Sequence, residues 1–193
     1  MKSVVVFCGS GEGYDETYRE AAYELGTVLA EKNIRIIYGG GRIGLMGALA
    51  EGALENGGKV IGVIPVFLQT KEIMHHGLTE TIKVNTMHER KLKMHELSDA
   101  VITMPGGWGT MDELFEMLTW GQMGLHQKPI GLLNINGYYD SLQALTDSMV
   151  REGFLNEEVN RMLLVSSSIE ELLQKMDDYV APEVQQWLTR KTT

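Results

Sequence analysis

Two charged residues, Arg90 and Glu113, stand in settings that charge alone does not explain. Glu113 ends the run Met104-Pro105-Gly106-Gly107-Trp108-Gly109-Thr110-Met111-Asp112-Glu113. Its glycines, three in four positions, let backbone pass close to a ligand without side-chain hindrance. A helical pattern follows, and the free N–H groups of a helix start attract anions, phosphate above all. A carboxylate placed there shares its site with an anion, so its presence needs a reason. One reason is structural: Thr110-x-x-Glu113 has capping-box spacing, in which hydroxyl and carboxylate satisfy backbone N–H groups reciprocally. The same spacing recurs at Ser168-x-x-Glu171, where nothing suggests chemistry. The other reason is catalytic: Glu113 acts as a general base, or stabilises a developing cation. The preceding glycines, which a cap does not need, favour this second reading. Asp112 is about 100° round the helix from Glu113 and is expected to face elsewhere.

Arg90 gives an independent clue. At about 100° per residue from Met87, it falls between Met94 and Leu97 on the apolar stripe of its helix. Glu89, Lys93 and Glu96 take the opposite face, with Glu89 and Lys93 at a favourable i,i+4 spacing. A guanidinium on a buried stripe needs a partner. That partner is a structural carboxylate, water at the end of an extended side chain, or Glu113 or a ligand anion in a cleft. Lys91 borders the same stripe. The histidines at 75, 76, 88, 95 and 126 have no metal-ligand spacing and read as surface or packing residues. No metal site is expected. Cys8, the only cysteine, reads as strand packing.

The elements that must position these residues alternate. Apolar strands are expected at 4–8, 34–38, 60–64, 81–84, 101–104, 130–133 and 162–165. Helices are expected at 14–31, 45–54, 86–97, 114–123, 138–151 and 168–179, with a polar tail after Pro182. Such alternation predicts an α/β fold: a parallel sheet with helices on both faces, in three layers. Ligands bind such sheets beyond the carboxyl ends of the strands. Three glycine turns fall there: Gly9-Ser10-Gly11, Gly39-Gly40-Gly41 with Gly44, and Gly106-Gly107 with Gly109. Gly39-x-Gly41-x-x-Gly44 matches a dinucleotide fingerprint, but the following strand ends Val63-Ile64-Pro65 without the acid that would hold a ribose. Three such turns along one sheet edge suit a mononucleotide or sugar phosphate better.

The bulk composition narrows the partners. The 193 residues suggest one domain, 1–193, and the net charge of −9 argues against nucleic acid. No apolar run is long enough to span a membrane. The N-terminus, Met1-Lys2-Ser3 and then a strand, lacks a signal-peptide layout, so a cytoplasmic location is expected.

Together, Tyr38-Gly-Gly-Gly-x-x-Gly-Leu-Met-Gly47, Met87-His-Glu-Arg-Lys91 and Pro105-Gly-Gly-x-Gly-Thr-x-x-Glu113 resemble the LONELY GUY (LOG) family of cytokinin riboside 5′-monophosphate phosphoribohydrolases. The resemblance runs from Phe7-Cys8-Gly9-Ser10 to about Gly137-Tyr138-Tyr139. Many bacterial members are labelled possible lysine decarboxylases, yet nothing in this sequence resembles a pyridoxal-phosphate enzyme. Two positions depart from the family pattern: Arg42 stands where a small residue is common, and Trp108 where Tyr or Phe is common.

The resemblance implies a Rossmann-like fold and hydrolysis of the N-glycosidic bond of a nucleoside 5′-monophosphate, without a cofactor. It implies Arg90 and Glu113 as catalytic residues. Its substrate contacts map onto Glu72, Lys91 and the loop from Gly107 through Trp108 and Gly109 to Thr110, beside Gly9, Ser10, Gly40, Gly41, Pro105 and Gly106 from the glycine turns. Met46, Met87, Trp108 and Met123 are candidate apolar lining for a modified base. A homodimer with the site near its interface is the family expectation. Two alternatives stand beside this reading: a nucleotide or molybdenum-cofactor carrier without turnover, and a transferase passing the ribosyl group to another acceptor.

Overall fold

The structure is a computed structural model, and it describes residues 1–68 and 74–183. Seven strands, all parallel, make one sheet in the order β4-β3-β2-β1-β5-β6-β7. The strands are β1 (Ser3–Phe7), β2 (Arg35–Tyr38), β3 (Val60–Pro65), β4 (Glu80–Val84), β5 (Ala100–Thr103), β6 (Ile130–Leu133) and β7 (Leu163–Ser166). The helices are α1 (Thr17–Glu31), α2 (Gly44–Glu55), α3 (Met87–Leu97), α4 (Trp108–Gln122), α5 (Asp140–Arg151), α6 (Glu157–Asn160) and α7 (Ile169–Asp177).

Strands β1, β3, β5 and β6 are buried along their whole length because helices cover both faces, which is why they read as continuous apolar runs. Side chains of alternate strand residues go to opposite faces. Val4 and Val6 pack with Leu25, Leu49 and Leu172 from α1, α2 and α7, whereas Val5 and Phe7 pack with Met94, Leu114 and Leu142 from α3, α4 and α5. The expected three-layer, Rossmann-like arrangement is therefore present. Among the described residues, no helix is long and apolar enough to cross a membrane.

Some element ends differ from those periodicity suggests. Helix α1 begins at Thr17 rather than residue 14: the chain ahead of it is a turn in which the Asp15 carboxylate accepts the Thr17 N–H at 3.0 Å, and Tyr14 is left in solvent. Thr86 caps α3, accepting the Glu89 N–H at 3.1 Å, while the Glu89 carboxylate accepts the Asn85 N–H at 2.7 Å. Glu89 is thereby committed to the cap, and Lys93 pairs instead with Glu96 at 3.6 Å. The expected helix at 138–151 begins two residues later, as α5 at Asp140, and a 3-10 turn, Ile135–Gly137, precedes it. The short α6, capped by Asn156, was not expected.

Candidate active site

The chain leaves β1 towards β2 on one side, and β5 lies on the other. This is the switch point of the sheet, where the loops beyond the strand ends part and leave a crevice. The β1 end, Cys8 to Gly11, and the β5 end, Met104 to Gly107, form its two lips, joined by the Gly9 N–H donating to the Pro105 carbonyl at 3.0 Å. The β2 turn closes a third side. There Gly44 holds φ +65°, and a Cβ on it would stand 2.3 Å from the Ser10 carbonyl oxygen, so a larger residue would force the loops apart.

Two cavities adjoin here. One, of about 230 Å³, is lined by Phe7, Cys8 and Ser10, by Gly39 and Met46, by Arg90 and Met94 of α3, and by Gly107 to Thr110 and Glu113 of α4. The other, of about 350 Å³, is lined by Gly9 to Gly13, Tyr18, Leu45, Pro105 to Gly107 and Tyr138. They share Ser10 and Gly107. Joined, they reach the size typical of small-ligand sites, about 300–1,000 Å³.

Helix α4 starts earlier than periodicity suggests. Its N-cap is Gly107, with no side-chain cap, and its first helical bond runs from the Met111 N–H to the Gly107 carbonyl at 3.1 Å. Thr110 is thus already inside the helix, and Glu113 lies a turn behind the start. The capping box considered for Thr110 and Glu113 does not form, in contrast to Ser168, which does accept the Glu171 N–H at 3.4 Å. The N–H groups of Trp108, Gly109 and Thr110 precede the first helical bond and face no side-chain cap. A Cβ on Gly107 or Gly109 would meet nothing within 4 Å, and neither has a positive φ. Backbone conformation and packing make no demand for glycine at these two positions. The space they leave open belongs to the cavity.

Arg90 is 7% exposed. Its Nη2 donates to the Gly39 carbonyl at 3.2 Å, and Nη1 lies 3.9 Å from the Met87 sulfur. Its Nε is buried and has no partner among the described residues. No ion pair joins Arg90 to Glu113 among the described residues; the two side chains line the same cavity from different helices. Gly39 is what admits the guanidinium, since a Cβ there would stand 2.2 Å from Nη2.

Burial pushes the Glu113 carboxyl up to about 7, against the pull of the Arg90 charge; Asp112 and Glu116 push it up further and Lys91 holds it down. Glu113 is therefore poised between acid and base near neutral pH, as proton-transfer groups are. Cys8 also lines this cavity. Its burial, and then the Glu113 charge, push the thiol pKa upward, which keeps it protonated and inert.

Five expected contact or lining residues lie outside both cavity linings. Gly40, at φ +81°, makes the β2 turn, and its carbonyl accepts the His75 N–H at 3.1 Å. The Gly41 carbonyl accepts the Tyr38 hydroxyl at 3.2 Å, beneath Met46. Met87 touches the guanidinium rather than the cavity. Lys91 is buried, and its Nζ lies 3.2 Å from Asp112 and 2.9 Å from Glu116. It ties α3 to α4 beside the two candidate catalytic residues, and Asp112 does face away from the cavity as expected. Met123 caps the far end of α4, about 20 Å from the crevice at 1.5 Å per residue. Glu72 lies outside the described residues. Cys8, Met94 and Tyr138 were not anticipated as lining; Gly11 and Gly39 were not named as contacts, though both belong to the expected glycine turns.

Fold and site together define a Rossmann-like α/β protein with a ligand crevice at its switch point. A family model described as possible lysine decarboxylase matches residues 46–176. The chain is 46% identical over 180 residues to the cytokinin riboside 5′-monophosphate phosphoribohydrolase LOG1 of Arabidopsis thaliana, covering 93% of this chain and 84% of that one. It is 43% identical over 180 residues to LOG of Oryza sativa subsp. japonica, covering 93% and 74%. The molybdenum cofactor binding protein of Rippkaea orientalis shares the fold, with TM-score 0.69 at 24% identity over 92% of this chain and 96% of that one. So does the molybdenum cofactor carrier protein of Chlamydomonas reinhardtii, with TM-score 0.64 at 19% identity over 92% and 99%. The chain belongs to the LOG family.

Proposed function

We propose that this chain hydrolyses the N-glycosidic bond of a nucleoside 5′-monophosphate, releasing the free base and ribose 5-phosphate. This is the activity named for its LOG relatives. The observation that carries the mechanism is Glu113, pushed up to about 7, in one cavity with Arg90 and a turn behind an uncapped helix start. The 5′-phosphate sits on the N–H groups at the start of α4, in the space left by Gly107 and Gly109. At about 1.5 Å per residue, Glu113 lies about 6 Å along the axis from Gly109. That offset is comparable to the span of a ribose from its 5′-phosphate to its anomeric carbon. The anion and the carboxylate thus occupy opposite ends of one ligand.

Ribosyl bond cleavage passes through an oxocarbenium-like state. The Glu113 carboxylate faces that cation and takes the proton of the attacking water. As the water oxygen bonds to the anomeric carbon, the electron pair of the broken bond leaves with the base, which is protonated from solvent, and Glu113 returns the water's proton to solvent. Arg90 holds a substrate oxygen: Nη1 and Nη2 each make one protein contact and each keeps a second N–H for that role. A carrier would need no group poised for proton transfer, and the likeness to molybdenum-cofactor proteins is one of fold.

The finer proposals are cytokinin ribotide and AMP as substrates, a cytoplasmic location, and a homodimer. Exposed Trp108, Leu92 and Phe115 on α3 and α4 favour the dimer, and light scattering on the eluting protein tests it. The test of the activity is chromatographic release of base from AMP and from isopentenyladenosine monophosphate. No release from either, with both nucleotides still bound, overturns the hydrolase reading in favour of a carrier.

A further inference from the structure

Tyr138 and Tyr139 follow β6 and lie beyond its carboxyl end, next to β5 in the sheet. They have no part in the chemistry above. Yet three consecutive carbonyls of the loop after β5 are each held by a different donor. The Tyr139 hydroxyl donates to Met104 at 2.7 Å, the Gly9 N–H donates to Pro105 at 3.0 Å, and the Tyr138 hydroxyl donates to Gly106 at 2.6 Å.

Peptide units are planar and trans, so a carbonyl and the next residue's N–H point in opposite directions. Holding the carbonyls of Pro105 and Gly106 therefore turns the N–H groups of Gly106 and Gly107 away from their donors. The Tyr138 ring lines the second cavity, and the Gly107 to Thr110 segment lines the first. Tyr138 thus lines the cavity that Glu113 does not, and Gly107 lines both.

The pair is itself fixed. Asn134 accepts the Tyr139 N–H at 2.7 Å and donates to Asp140 at 2.8 Å. The Tyr138 ring meets Tyr139 edge-on at 4.8 Å and Tyr18 at 6.0 Å. Tyr139 is buried, whereas Tyr138 is 45% exposed, so its hydroxyl can be removed without opening the core.

We propose that Tyr138 is a positioning residue: its hydroxyl sets the Gly106–Gly107 peptide so that the loop and the start of α4 present a ready cradle to the 5′-phosphate. The proposal rests on the functional reading above for its choice of ligand. A residue that orders an anion cradle acts on the phosphate and leaves the base and ribose contacts alone. Tyr138→Phe should therefore weaken ribose 5-phosphate binding by about 3- to 10-fold, the range for one hydrogen bond. It should lower kcat/KM for AMP by a similar factor, through KM, and leave any turnover of adenosine unchanged.

The test is calorimetric titration of ribose 5-phosphate into wild type and Tyr138→Phe, with melting curves and base-release rates on the same preparations. Weaker binding at unchanged melting temperature supports the proposal. Equal affinities overturn it. A variant that loses adenosine and AMP turnover alike, with lowered melting, has a general structural defect and overturns it too. If wild type releases no base yet the affinities differ as stated, the hydrolase reading falls and the positioning role stands.

Discussion

Placing a methyl group on Gly39 tests the role of the arginine without changing Arg90 itself. A Cβ there would stand 2.2 Å from Arg90 Nη2, 3.1 Å from Met46 Sδ and 3.4 Å from Arg90 Cζ. Non-bonded atoms settle at roughly 3.5 Å, so the guanidinium must retreat by more than about 1 Å. That retreat breaks the 3.2 Å bond to the Gly39 carbonyl and moves the buried Nε with it. A hydrogen bond from a charged donor contributes about 1.5–3 kcal/mol. If the bond matters in the transition state, Gly39→Ala lowers kcat/KM about 10- to 100-fold. A 1 Å misplacement near the chemistry is known to cost on the order of 10²-fold. Gly39 does not hold a positive φ, so alanine meets no backbone strain there, and its effect on the unfolded chain favours folding by about 0.4–1 kcal/mol. The assay is kcat/KM for base release beside a melting curve on the same protein. Activity within twofold of wild type, from a variant that melts normally, would refute the reasoning that the position of Arg90 governs the rate.

Other expectations follow from the same geometry. The Glu113 carboxyl, normally near 4.5, is pushed up to about 7, so the native state holds its proton more tightly than the unfolded chain does. Its contribution favours the fold below about 4.5 and is lost as pH rises to about 7. At about 1.4 kcal/mol per pKa unit, ionising Glu113 costs at most about 3.5 kcal/mol. Glu113→Gln should gain up to that much over wild type at pH 8 and none at pH 4, read from denaturant midpoints. Lys91→Met removes a cation that holds the Glu113 carboxyl down, so the acid limb of the pH–rate profile should move to higher pH. It also breaks the tie between α3 and α4, at about 1–3 kcal/mol of stability. An unmoved limb would show that Lys91 does not act on Glu113. Gly107→Ala, whose methyl would meet nothing within 4 Å, should fold as wild type does yet bind ribose 5-phosphate more weakly. Unaltered affinity would remove the loop from the phosphate site.

The parallel sheet was readable because strands buried on both faces must be apolar throughout, as Val4 to Phe7 are. The burial of Arg90 was readable because helical periodicity places it beside Met94. The start of α4 was not readable: Gly107 and Gly109 speak for a loop on propensity alone, yet the helix begins among them, with no side-chain cap to announce it. The two readings of Glu113 are separated by that start, which leaves the carboxylate a turn too deep to cap. Lys91 borders the apolar stripe on its own helix, but its carboxylate partners lie on α4, and no local spacing announces contacts across 21 and 25 residues. The tyrosine clamp was invisible for the same reason, since its hydroxyls reach back 32 and 35 residues.

The central claim is that Glu113 does the chemistry while the start of α4 and its glycine loop hold the phosphate. The most direct measurement is single-turnover base release by Glu113→Gln, with nucleotide affinity determined on the same sample. The account predicts that release is abolished while the nucleotide binds with affinity near that of wild type. Release at the wild-type rate would contradict it.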